Sequence, residues 1–493
     1  MEFPVSVPVA AIVPDPMRWK ALIVIAISQL MVVLDASIVN IALPAMQADL
    51  GISDANRQWV VTAYTLAFGG LLLLGGRIAD YAGRKRMLII GLIGFATASA
   101  LGGVATSQGL LISARGLQGV FAALLAPAAL SLITVTFTDS KERAKAFGVY
   151  GALSGGGAAI GLIMGGILVE YTSWHWTLLV NIPIAIIAVL LAVKYVKESR
   201  ATGDTKYDVP GAITATLGLI SLVYGISKAE TVGWNGTETV SFMAIGVLLL
   251  ILFMFIESRS SHPLLPLPIL LNRTRGGAYL ASFFVGIGLF AMFLFLSYFF
   301  QAVMHYTPLA SGLLFLPFSI GVVFSAGIAS QLLPRFGPRY VTFVGFILVV
   351  IGMLIFTQLA ATSTYWPNIL PGMIVTSIGM GLIFVPLSAV ALFGVGNHDA
   401  GVASAVLNTS QQIGGSIGLA FLNTVAASAT TAFIVTNKLP GPTPEALVAG
   451  FQPAFFWSVG ILAAAGLIWV VLVRMTKEDM QAHDADAATP AMH

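Results

Sequence analysis

Apolar runs of about 20 residues recur from one end of the chain to the other, and they leave few folds open. A run of that length crosses roughly 30 Å of hydrocarbon as a helix. Lipid offers no partner to a backbone N–H or C=O, so such segments bond internally as helices. Fourteen can be placed, at about 20–45, 58–76, 87–106, 110–136, 146–169, 175–196, 209–228, 239–257, 276–303, 309–333, 340–360, 367–392, 401–428 and 451–473. Hydrophobic residues make up 57% of the 493 residues and charged residues 9%, against about 25% charged in soluble domains. The expected class is an all-α integral membrane protein.

The basic residues orient this array, because Lys and Arg accumulate in short cytoplasmic loops. With both termini inside, the inner segments hold Arg18 and Lys20, the Arg77 to Arg86 group, Lys141 to Lys145, Lys194 to Lys206, Arg259 to Arg275, Arg335 and Arg339, and Arg474 and Lys477. The outer loops keep Arg57, Lys228 and Lys438. This alternation supports fourteen spans and a cell-membrane location. The first run exceeds 20 residues with no cleavage site after a short apolar core, so it reads as a retained span.

Several chemistries are excluded at this level. The chain has no cysteine, hence no disulfide or thiolate metal site. Its six histidines form no ligand cluster, and no phosphate-binding G-x-x-x-x-G-K-[ST] loop is present. No cofactor is expected, and the basic balance belongs to the inner loops rather than to a nucleic-acid partner. A membrane enzyme lacks support: no H-E-x-x-H, nucleophile elbow or paired intramembrane carboxylates occur.

The loop GGRIADYAGRKR (75–86) and the loop LLPRFGPRY (332–340) superpose at an offset of 254 residues, which also carries Gly161 onto Gly415. The chain then divides into a tail (1–17), a six-span half (18–198), two inserted central spans (199–260), a second six-span half (261–475) and an acidic tail (476–493) expected to be disordered. Repeated halves with a site at their interface are the build of secondary transporters.

Asp35 and Arg115 are the charges set well inside apolar runs. A charge in hydrocarbon is costly and marks a bundle interior or a watery path. Burial penalises the ionised form of a lone acid, so Asp35 can exchange a proton as its surroundings open and close. Arg115 can pair with Asp35 if their spans adjoin, or snorkel to the interface. Gln118, one turn from Arg115, can extend a polar track or serve helix packing. Span nine carries Phe290, Phe293, Phe295, Phe299 and Phe300, mostly expected as packing, with Tyr298 and Gln301 beside them, and Gln118 of span four, as candidate substrate contacts.

The segments VLDASIVNIALP (33–44), GGRIADYAGRKR (75–86), ARGLQGVFAALLAPAALSLI (114–133), GLIMGG (161–166), VNIPIAI (180–186) and LNTSQQIGGSIGLA (407–420) together resemble the major facilitator superfamily, in particular its fourteen-span drug:proton antiporters. The resemblance covers about residues 18–475. It implies a major facilitator fold of 14 transmembrane helices, as two six-helix halves plus two inserted helices, and export of hydrophobic drugs or small metabolites against protons by a monomer. It assigns proton coupling to Asp35 and Arg115. It assigns gating to Gly76, Asp80, Gly83 and Arg84 in the first loop, and to Gly161, Gly165 and Gly166 in span five. Leu162 stands where the family's antiporter motif has proline, which leaves uptake of a nutrient by symport as the alternative direction.

Overall fold

Hydrocarbon forces backbone hydrogen bonds inward, and the computed structural model is accordingly helical, with no strand among the described residues. The structure describes residues 16–54, 56–137, 139–200, 208–260, 263–265, 267–395, 400–475 and 477–479. The expectations for most of both tails lie outside these.

In chain order the helices are α1 (Arg18–Leu50), α2 (Trp59–Ala82), α3 (Arg84–Gly103), α4 (Gln108–Thr136), α5 (Ser140–Tyr171), α6 (His175–Leu179), α7 (Asn181–Tyr195), α8 (Val209–Val232) and α9 (Thr237–Arg259). They continue as α10 (Leu267–Leu271), α11 (Arg273–Tyr298), α12 (Pro308–Leu314), α13 (Leu316–Phe356), α14 (Leu370–Leu392), α15 (Ala400–Thr436) and α16 (Pro444–Leu472), with single π-helical turns at Phe299–Val303 and Tyr365–Ile369. Twelve stretches among the described residues are long and apolar enough to cross a membrane. One of them, Pro308–Phe356, runs for 49 residues. It is broken at Gly337 (φ 76, ψ 162), between Pro334 and Pro338. The following proline bars the helical basin to residue 337, and only glycine adopts that positive φ without strain.

Two sets of helices pack side by side. In the first, α1 lies on α5, α2 on α4, and α3 on α4 and α7. In the second, α11 lies on α15 and α16, and α13 on α14. Small residues make the seams, as expected where lipid supplies no hydrophobic drive and close packing holds the helices. Gly157, Gly161 and Gly165 of α5 abut Val33, Leu34 and Ile38 of α1. In the second set, Gly414, Gly415 and Gly418 of α15 abut Phe283, Phe290 and Ile287 of α11, and of these Gly415 stands 254 residues after Gly161. The two central helices pair as α8 on α9, and α8 touches both α2 and α15.

Between the sets, α2 lies on α15, where Thr409 Oγ1 donates to Gly69 O at 3.3 Å, and further contacts join α5 to α12 and α1 to α11 and the π-helical turn after it. Gly166 of α5 presses on Pro308 and Leu309 of α12, where Leu309 N donates to Glu170 Oε2 at 3.1 Å. Ser297 Oγ donates to Asn40 O at 2.7 Å, and Gln301 Nε2 to Ile41 O at 3.0 Å.

On α4 the seam separates two glycines three residues apart. A Cβ on Gly119 would run into the Tyr64 carbonyl, whereas one on Gly116 meets nothing within 4 Å. We expect Gly119→Ala to cost about 1–3 kcal/mol by overpacking and Gly116→Ala to be neutral or stabilising by up to about 1 kcal/mol through helix propensity. Thermal midpoints of the two purified variants check this.

Candidate functional site

Asp35 on α1 is packed within the first set of helices and is 0% exposed. Helix α4 turns Arg115, 1% exposed, onto it. Arg115 NH1 donates to Asp35 Oδ2 at 2.6 Å and to Gln118 Oε1 at 2.8 Å, while Nε donates to Val60 O at 3.0 Å. The guanidinium carbon lies 4.5 Å from the centre of the Tyr64 ring, a cation–π distance. The snorkelling alternative for Arg115 is thereby excluded in this structure.

Asp35 Oδ1 accepts twice more, from Gln118 Nε2 at 3.0 Å and from Asn181 Nδ2 at 2.9 Å. Both amides also donate to Ser99 Oγ, at 3.0 and 2.9 Å, and Ser99 donates onward to Leu178 O at 2.8 Å. Every group reaching Asp35 is a donor, which suits a carboxylate anion. The set draws on α1, α2, α3, α4, α6 and α7, with two groups each from α2 and α4, and among the described residues none comes from the second set. Tyr64 Oη and Asn181 Oδ1 are buried with no partner. They are polar atoms with spare hydrogen-bonding capacity close to the Asp35 carboxylate.

Gln118 was a candidate substrate contact from sequence, but it is 0% exposed and committed to Asp35. Sequence reasoning missed Ser99, Asn181 and Tyr64. Asn181 falls in the segment VNIPIAI, yet nothing in that segment distinguishes it from a packing residue.

At the opposite end of α2, Arg84 Nε donates to Asp80 Oδ1 at 2.8 Å. Gly83 takes φ 119 and ψ 122 and joins α2 to α3 through a single residue. The α3 N-terminus is capped by a residue the sequence did not flag: Glu198 accepts from Lys85 N and Arg86 N, each at 3.1 Å. A carboxylate at a helix N-terminus gains from the backbone dipoles there. The close approach expected of Gly76 belongs to Gly75. A Cβ on Gly76 would make ordinary contact with Pro127, while one on Gly75 would strike the Ala123 carbonyl. Nearby, Arg18 clasps Glu142 at 2.7 and 2.8 Å, and this hydrogen bonding holds the Glu142 carboxyl below its ordinary value.

The remaining sequence candidates divide: Gly161 and Gly165 pack on α1 within the first set, while Gly166, Tyr298 and Gln301 sit at the seam between the sets. Gly161, Gly165 and Gly166 lie as described above. The Tyr298 hydroxyl bonds to Gln47 Oε1, and Gln301 serves the Ile41 carbonyl. Phe295, Phe299 and Phe300 are 0% exposed: Phe295 packs on Phe451 and Phe455, and Phe300 on Phe315 and Tyr365. They are core, as expected.

Residues 25–419 match the family described as Major Facilitator Superfamily. The chain is 45% identical to the puromycin resistance protein pur8 of Streptomyces alboniger, over 97% of this chain and 96% of that one. It is 35% identical to the cephamycin export protein CmcT of Amycolatopsis lactamdurans, over 93% of each. Its fold is similar, at TM-score 0.67 and 14% identity, to a bacterial homolog of the human lysosomal transporter Spinster, covering 95% of this chain and 99% of that one. On the length of the family match and the identity to these relatives, this chain belongs to the Major Facilitator Superfamily.

Proposed function

We propose that this protein is a proton-coupled exporter of hydrophobic drugs or small metabolites, working by alternating access. The observation that carries the proposal is the buried Asp35 carboxylate with its charge-compensating Arg115. Superfamily membership makes the chain a transporter rather than an enzyme, and the names of the relatives, puromycin resistance and cephamycin export, point outward.

The coupling follows from charge balance. With Arg115 and two amides in place, the ionised carboxylate is satisfied; when Arg115 withdraws, burial favours the protonated acid. A proton taken up from one side and released to the other then drives the substrate the opposite way. Gln118 and Asn181 orient the carboxylate, and the Asp80–Arg84 loop steadies one access state.

The architecture proposed for this cycle has fourteen spans. It counts α5 as a span and divides Pro308–Phe356 at Gly337. The halves are 18–198 and 261–475, and the central pair falls within 199–260. Both termini lie in the cytoplasm, the protein acts as a monomer, and the matching glycine seams of α1 with α5 and α11 with α15 support the repeat.

Because the chain lacks cysteine, single cysteines report topology directly. Phe336→Cys, 59% exposed, and Tyr171→Cys, 69% exposed, are expected to react with an impermeant maleimide from opposite faces. Reaction from the same face would sink the fourteen-span count.

Transport is tested in inside-out vesicles with an acid interior, using puromycin and a panel of lipophilic cations and neutral drugs. Asp35→Asn is expected to lose gradient-driven accumulation at least about tenfold, equivalent to about 1.4 kcal/mol. It also strands Arg115, at a cost of about 3–5 kcal/mol. The double variant Asp35→Asn/Arg115→Gln should regain thermal stability but not transport. Full gradient-driven accumulation in either variant would refute the coupling role.

A further inference from the structure

At the end of the molecule away from Arg84 lies a second buried arginine, which the coupling scheme does not use. Arg57 precedes α2 and is only 2% exposed, although hydropathy places it in a loop. Its partners come from both sets of helices. Nε donates to Asn423 Oδ1 of α15 at 3.0 Å, NH1 donates to Asp54 Oδ1 at 3.1 Å, and the guanidinium carbon lies 4.2 Å from the centre of the Tyr298 ring of α11. Asn423 Nδ2 returns to Asp54 O at 2.8 Å, and Gln47 Nε2 donates to Asp54 Oδ1 at 2.7 Å.

The central helix α8 completes the cluster. Gln58 Nε2 donates to Ser227 Oγ at 2.8 Å. Three residues further along α8, Glu230 keeps a buried oxygen, Oε2, with no partner, and its carboxylate lies within electrostatic reach of both Asp54 and Arg57. A guanidinium held away from water needs a counter-charge. When the two sets part at this end, Asn423 and Tyr298 leave with the second set. Arg57 then keeps Asp54 and needs a replacement for what it has lost, and Glu230 has the free oxygen to supply it.

We infer that Arg57 is the positioning residue that holds the outer end of the transporter shut, and that Glu230 on the inserted helix receives it when that end opens. The inference rests on the two-half reading proposed above, and it gives the central helices a part in the cycle: they carry the alternate partner of the closing arginine. The closed state stores Arg57 between the halves, and the open state stores it against α8.

Ser297, 0% exposed and bonded across the seam to Asn40, reports opening once changed to cysteine. Its rate of reaction with an impermeant maleimide added to intact cells is measured in the Ser297→Cys parent and in added variants. Arg57→Gln is expected to raise the rate about tenfold, the factor set by one hydrogen bond to a charged group. Asn423→Ala, which removes only the partner on the second half, raises it several-fold. Glu230→Gln lowers it several-fold and has no effect once Arg57 is Gln, because the two act as a pair. Gel filtration and thermal midpoint establish that each variant is folded. An unchanged rate in both folded Arg57→Gln and folded Asn423→Ala overturns the role of Arg57, and an unchanged rate in Glu230→Gln overturns that of Glu230. Reaction confined to the cytoplasmic face in every variant overturns the two-half orientation together with the proposal, whereas loss of Asp35-dependent transport alone leaves the labelling result standing.

Discussion

A carboxylate and a guanidinium facing each other where water does not reach set the terms for the first half of this molecule. Either charge alone would be too costly to keep there. Together they engage the Gln118 and Asn181 amides as donors, the Val60 carbonyl as an acceptor and the face of the Tyr64 ring. The network ties six helical segments to one charge and contains nothing from the other half. Any change in that network is therefore transmitted through the packing of the first set's own helices.

Asp35 and Arg115 were legible in the sequence because a charge inside an apolar run is conspicuous whatever surrounds it. Ser99, Asn181 and Tyr64 were not, since uncharged polar residues are ordinary in membrane helices and only tertiary packing brings them to one point. The burial of Arg57 was not legible for the opposite reason. Its neighbours Asp54, Asn56 and Gln58 are those of a surface loop, and burial by α11 and α15 leaves no local trace. The helical class followed from apolar run lengths. Which of two adjacent glycines, Gly75 or Gly76, meets the next helix depends on rotation about the helix axis, which run length does not fix.

The central helices α8 and α9 read from sequence as an insertion between repeated halves. In the structure α8 bridges α2 and α15, and the Ser227 hydroxyl receives the Gln58 amide from across the gap. A helix pair that touches both halves at once cannot be a neutral spacer. Its outer surface is strongly apolar, with Leu248, Ile251 and Phe255 all exposed, as suits a face turned to lipid, while α8 packs on α2 and α15.

Gly83 and Gly337 each join two long helices through one residue, at φ 119 and φ 76. A joint that short has no slack. A helix on one side of it cannot slide along its own axis by a turn, about 5.4 Å, without dragging its neighbour. Each jointed pair thus behaves as a stiff bracket that tilts and rotates but does not telescope, and the amplitude of any motion is largest at the ends farthest from the glycine.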